Sequence, residues 1–600
     1  MNRWFRRLMI VLLCVSALIP GLACKRGSDS EGGGGGAVTG PLGVPINVVA
    51  PGTADDEQFD GDPGFAVGAD GIARLAWLAT GAGLDLVLGT ADDTTVIRYA
   101  RRRADGTWTA PIVLSTTANV MDPPQLEVVG VGPNAGTSFV FWTETDLGLV
   151  GHVHVARVSA GNPPTILTPD AEISDGPLPV GIIGINFVAL TITMSVESDA
   201  MNGDVVAIWG QTFDGDAGGA AVPDECAIAG VYFAGGPGGI GPDPAEPDAK
   251  IGLTVNNLDA GAAAFDSFAE PSLRLIWSPL PAVGAGGTMH AFYVITAADG
   301  TGRDLRWRRR TGAAAFTPAA PGVALTSPPA PAFVRFLRPA VDAEGDLYVT
   351  WGADAVLPVT VIHHSRAAVG TDFLAAGSTI VTATPGGVGS PDDLFDLAIA
   401  LDGSTPVIAY KLQGGVLDNQ VAASVGTPDA GGPFPLEVTL HPITTTTAVE
   451  GGGRIAVARE TGGRIVFVFD APPAAGAEFD LFGVVRPTGG PFAPEVNLTG
   501  TAAISRLVGS AALGDMARFA WLEGPDAGPR DVFDIHYASG VFGAPVNLSM
   551  SPATDSHGGE NGTGFNAGNV GVAPAAGGIF HVWYREHLGA AQHDPFHISR

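Results

Sequence analysis

The chain has 600 residues, a formal charge of −30, 46% apolar residues, 85 Gly and 47 Pro. A charge of that sign repels nucleic-acid phosphate and anionic headgroups, which excludes nucleic-acid binding and suits solubility and divalent cations. Short runs of Val, Ile, Thr and Phe between Gly- and Pro-rich turns read as many short strands rather than helices.

Residues 1–23 place Arg3, Arg6 and Arg7 ahead of an apolar stretch from Leu8 to Ile19, the layout of a secretory signal peptide. Its removal deletes three Arg and no acids, which takes the charge to −33. The segment "IPGLAC" resembles the end of a bacterial lipoprotein signal: Ala23 precedes Cys24, although Gly21 stands where that family prefers Leu. The resemblance implies lipidation of Cys24 and an extracytoplasmic place in the bacterial envelope, at the outer rather than the inner membrane. The membrane would then be touched through the lipid alone. Residues 24–40, "CKRGSDSEGGGGGAVTG", read as a flexible tether. Beyond them only Cys226 remains, so no disulfide is expected.

From residue 41 onward a short apolar strand recurs, usually ending in an aromatic. Its last residues are Trp77, Trp142, Trp209, Tyr293, Trp351, Tyr410, Phe469, Trp521 and Trp583. The intervals are 65, 67, 84, 58, 59, 59, 52 and 62 residues, a period that marks a repeat architecture. The eighth unit shows four strand-like pieces: "ISRLVGSAALGD", "MARFAWLEG", "DVFDIHYASG" and "FGAPVNLSM". Four antiparallel strands joined by Gly turns make a β-propeller blade, with the aromatic as core between blades. The stretch Leu178–Val196 is apolar enough to span a membrane. It lacks basic flanks, contains Asn186 and falls in step with the repeat, so it reads as strand.

The ninth unit stops at Arg600 without a fourth strand, and "LGVPINVV" at Leu42–Val49 matches the fourth strands "FGAPVNLS" and "FAPEVNL". We therefore expect an all-β fold: one large propeller of eight to nine four-stranded blades over 41–600. The N-terminal strand, within 41–50, completes the last blade. This closure removes an open edge. The third unit, whose long interval holds "GGPGGIGPDPAEPDA", is the candidate for an irregular insertion. Two separate propellers or a sandwich array are the alternatives.

The turn "RRRADGTWTAP" resembles the Asp-box region of sialidase-like propellers, with Asp105, Gly106, Thr107 and Trp108 in the box. The leading Ser/Thr and one residue between Asp and Gly are missing. Such boxes are structural turns. The resemblance also implies what a sialidase would need: three Arg, a Tyr nucleophile with Glu, and an acid Asp. The family's Arg-Ile-Pro motif is not found here, and most of the seven Tyr fall on blade strands.

In "GLDLVLGTADDT" Asp85, Asp92 and Asp93 surround a Gly-Thr turn, a carboxylate set suited to Ca²⁺, although a solvated acidic loop reads the same way. His152 and His154 share one strand face at a spacing that chelates zinc, with no third ligand identifiable. Arg101–Arg103 and Arg308–Arg310 read as exposed strand ends, or as an anionic-glycan groove. The function expected is a monomeric binding or scaffold module for a protein or glycan, with Ca²⁺ as the one cofactor considered. An exo-acting glycosidase of sialidase type is the alternative. The two differ at the ring's central channel, where an enzyme gathers acids, Arg and Tyr.

Overall fold

The computed structural model describes residues 46–48 and most of 57–599. The longest stretches outside the described residues are 1–45, 82–93, 174–193, 214–224, 234–255, 258–272, 442–453 and 550–569. The alternation of apolar and polar residues folds the chain into nine antiparallel sheets that form a nine-bladed β-propeller; eight run in sequence order from the innermost strand outward, and the ninth has the N-terminal strand outermost. No helix is present among the described residues.

The innermost strands are Glu57–Val67, Gln125–Val128, Met194–Ser198, Leu273–Ser278, Phe333–Val341, Asp393–Asp402, Ile455–Arg459, Ile504–Leu513 and Val570–Ala575. Each touches the innermost strand of the next blade, and the last returns to the first, so the ring is closed. The third unit is a full blade and not an insertion; its outer strand is the short Asn256–Asn257.

All nine repeat aromatics lie on second strands and are at most 5% exposed. They fill the spaces between blades: Trp142 of blade 2, for example, packs with Ile97, Tyr99 and Leu114 of blade 1. Burial of each such side chain contributes roughly 1.5–3 kcal/mol, which holds blades together that could not stand alone. Tight hairpins set the strand register; in blade 8 Gly514, at φ +61°, lets Leu513 pair with Met516 across a two-residue turn.

The N-terminal strand Ile46–Asn47 closes the ring as the outermost strand of blade 9, with Asn47 opposite Phe596 and Ile46 opposite His597. The match in sequence is a match in register. Asn497 stands opposite Phe482 in blade 7, and Asn547 opposite Phe533 in blade 8. The motif has a chemical reason. Asn497 Nδ2 donates to Asp480 Oδ2 at 2.7 Å and Thr499 Oγ1 to Asp480 Oδ1 at 2.9 Å. Asn547 and Ser549 grip Asp531 in the same way, at 2.9 and 3.1 Å. Beyond the N-terminal strand, Val48 packs with Trp77, Trp108 and Trp583, between blades 9 and 1.

Candidate binding site at the central channel

Innermost strands bend at bulges, where an extra residue re-aims its neighbours. Register shifts fall between Arg335 and Arg338, between Leu394 and Asp396, and between Leu507 and Gly509. The first contains Phe336 at φ +54°, a left-handed conformation that a large side chain rarely adopts. These three bulges surround a cavity of about 300 Å³ walled by strands of blades 5 to 8.

Its polar lining is Arg338, Arg454 and Ser510; the rest is apolar, including Leu397, Ile399 and Ile455. Asp396 ties this wall together. Its Oδ1 accepts from Arg338 Nη2 at 3.1 Å and from Leu397 N at 2.8 Å, while Oδ2 accepts from Ile455 N at 2.7 Å. Arg338 Nε donates to Leu397 O at 2.9 Å. One carboxylate thus joins blades 5, 6 and 7. Burial raises its pKa, and the two Arg nearby oppose that rise. Arg454 is exposed, and among the described residues that line the cavity the charged side chains are Arg338 and Arg454.

Across the ring, Glu127 and Glu197 stand on the innermost strands of blades 2 and 3. Ser198 Oγ donates to Glu127 Oε1. Burial pushes Glu127 up to about 7 and Glu197 up to about 8; the neighbouring Glu127 adds to the second shift and Arg274 of blade 4 opposes it. Both carboxyls are therefore biased toward the protonated form at neutral pH, Glu197 more than Glu127. All seven Tyr lie on second or third strands, so none is on an innermost strand.

The sequence-predicted residues are placed elsewhere. Asp105 Oδ1 accepts from Thr107 N at 2.9 Å and from Thr107 Oγ1 at 2.7 Å, and Gly106 takes φ +90°. Trp108, 8% exposed, meets His597 of blade 9 edge-on at 5.1 Å. This turn fastens blade 1 to its neighbour and lines no cavity among those described. Cys24 and the loop of Asp85, Asp92 and Asp93 lie outside the described residues, as does the stretch Leu178–Thr193; its end, Met194–Val196, is strand.

The Arg runs are not exposed strand ends. Arg101, Arg308 and Arg310 are at most 6% exposed. Arg101 donates to the carbonyls of Ala160 and Gly161, and Arg308 to those of Phe316 and Pro318 at 2.6 and 2.8 Å. Arg102, Arg103 and Arg309 are half-buried and pair with Ser599, Thr107 and Asp372, so both runs are held by the protein's own acceptors.

His152 and His154 do have partners: Nδ1 of His152 pairs with Glu172 at 2.7 Å, and Nδ1 of His154 with Asp170 at 2.6 Å. Burial disfavours the His154 cation, but Asp170 and Glu144 beside it prevail and raise its pKa. Spacing within one strand could not supply Asp170 or Glu144. The channel residues were equally missed, although a signal existed: Glu127, Glu197, Arg338 and Asp396 are charged residues within the first strand of a repeat, and Arg454 directly precedes one.

No family model matches the chain, and no curated protein matches it. Among solved structures, the NanB sialidase from Streptococcus pneumoniae is 8% identical with a TM-score of 0.29, covering 94% of this chain and 70% of that one. The intramolecular trans-sialidase from Ruminococcus gnavus is 10% identical with a TM-score of 0.30, covering 83% and 96%. A puromycin-hydrolyzing peptidase of Mycobacterium tuberculosis is 13% identical with a TM-score of 0.31, and this chain spans 60% of its length. Likenesses this loose assign neither substrate nor chemistry.

Proposed function

We propose that the protein is a lipid-anchored, extracytoplasmic binding module whose channel takes an anionic group of a glycan. The observation that carries this reading is the cavity at Arg454: an exposed guanidinium beside the Arg338–Asp396 joint, among apolar walls, in a chain whose net charge is strongly negative. Guanidinium forks suit carboxylate and sulfate geometry, and apolar surface beside them suits a sugar ring. The overall field repels polyanions, so such a ligand binds only where the local cations prevail.

One observation favours the glycosidase alternative: burial pushes Glu127 and Glu197 up to about 7 and about 8, the range a general acid needs at neutral pH. A tyrosine nucleophile has no place on the innermost strands, which weighs against sialidase chemistry. Incubation with acidic oligosaccharides separates the readings. A binding module retains them and releases no new reducing ends; product formation abolished by Glu127→Gln or Glu197→Gln would establish the enzyme instead.

A further inference from the structure

Blade 2 carries a cluster that the channel does not use. His152 and His154 stand on its third strand, Gly151–Val158, registered opposite Glu144 and Trp142 of the second strand, Ser138–Thr145. Asp170 and Glu172 stand on the outer strand, Ile166–Glu172. Each imidazole directs Nδ1 to one of these outer carboxylates, His152 to Glu172 at 2.7 Å and His154 to Asp170 at 2.6 Å. A carboxylate only accepts, so each Nδ1 carries the hydrogen, and in the neutral ring the lone pair sits on Nε2.

On the other side of His154, Glu144 Oε2 lies 3.9 Å from Nε2. That is too long for a hydrogen bond and close to the separation of two donors on one zinc ion, roughly 3.4 Å for bonds of about 2.0–2.1 Å at tetrahedral angles. Trp142 Nε1 donates to Glu144 Oε1 at 2.7 Å, which fixes the carboxylate and turns its other oxygen toward the ring. His152, directly across the strand pair from Glu144, starts from a Cβ roughly 4.5–5.5 Å away, within reach of the same ion.

We propose that blade 2 holds a zinc site with His154 Nε2, Glu144 Oε2 and His152 as ligands. Asp170 and Glu172 act as the outer carboxylates that fix each ring's tautomer and aim. Donor atoms of Glu144, His154 and Asp170 already lie within 4.8 Å of one another, and His152 completes the proposed set by turning its ring toward Glu144, its partner across the strand pair. Imidazole donors select a borderline ion over Ca²⁺ or Mg²⁺, which take oxygen alone. The pattern of ligand, then carboxylate behind it, is how metal-binding His is held in general. The ion would pin the second and third strands of this blade together.

The test is calorimetric titration of Zn²⁺ into the untagged full chain, with millimolar Ca²⁺ present to occupy sites built from oxygen alone. One Zn²⁺ per chain is expected, weakened at least tenfold by His154→Ala and by His152→Ala. Asp170→Asn and Glu172→Gln should each weaken it about tenfold to a hundredfold. Co²⁺ in place of Zn²⁺ should give visible d–d absorption that disappears in the His variants. His152 is 23% exposed and Glu172 48% exposed, so their variants keep the fold, checked by an unchanged melting temperature without metal. Absence of Zn²⁺ uptake, or uptake unchanged in all four variants, overturns the proposal.

Discussion

Lys411 Nζ lies 2.9 Å from Asp470 Oδ1, with both side chains fully shielded from solvent, and it also donates to the Asp470 backbone carbonyl at 2.8 Å. The two residues stand on the second strands of blades 6 and 7, so the pair bridges two blades at mid-radius. Burial lowers the Lys411 pKa, and Asp470 works against that. Arg506 Nη1 lies 3.7 Å from Asp470 Oδ2, so removing Lys411 takes the nearer of two cations from a carboxylate buried in the core. Lys411→Met should therefore destabilise the protein by about 3–5 kcal/mol in denaturant unfolding. A change under about 1 kcal/mol would show that the pair is not the clamp described.

Ring closure rests on two backbone-paired residues, Ile46 and Asn47, followed by Val48 in the core. Deletion of residues 25–50 should lower the melting temperature by several degrees or cause aggregation, because it exposes the edge of Gln592–Ser599. Deletion of 25–38 should change little. Equal behaviour of the two truncations would contradict closure by this strand.

Acid should loosen the protein. Burial lowers the pKa of His290 and His364 to about 3 and of His581 to about 4, and lowers His597 well below its ordinary value. His581 and His597 bond each other at 2.8 Å, Nδ1 to Nε2, inside the closing blade. The unfolded chain takes up protons below about pH 6.5 that these folded imidazoles refuse, so stability is full above that pH and falls toward pH 4. Glu127 and Glu197 act with the opposite sign. Folded, they keep protons up to about 7 and 8, so their contribution is full below about pH 4.5 and is lost as pH rises through those values. Melting temperature should rise from about pH 4.5 to 6.5 and decline mildly toward 8. The Glu127→Gln, Glu197→Gln double variant should lack that decline. A profile flat from pH 4.5 to 8 would contradict both assignments.

The parts legible in the sequence were those that repeat. The second-strand aromatics recur because every blade solves the same packing problem, and the Val/Ile–Asn pair shared by the outer strands of blades 7, 8 and 9 marks the closing strand. The channel was not legible, because Arg338, Asp396 and Arg454 come from three blades, at bulges that shift the register of two of their strands. Glu144 and Asp170 escaped for a related reason: they meet His154 across strands, and no spacing within one strand encodes that. The basic runs misled because surface charge and carbonyl-clasping Arg look alike in sequence.

The claim that the channel binds an anionic group is tested most directly at Arg454, which is exposed and whose loss leaves the Arg338–Asp396 joint intact. Binding of a sulfated dextran, a polygalacturonate and uncharged dextran should be measured by calorimetry for the parent chain and Arg454→Ala, at low and at physiological salt. The account predicts uptake of a charged glycan but not of the neutral one, weakened about tenfold or more in Arg454→Ala at an unchanged melting temperature. Equal affinity in parent and variant, or binding of the neutral dextran as strong as that of the charged ones, would contradict it.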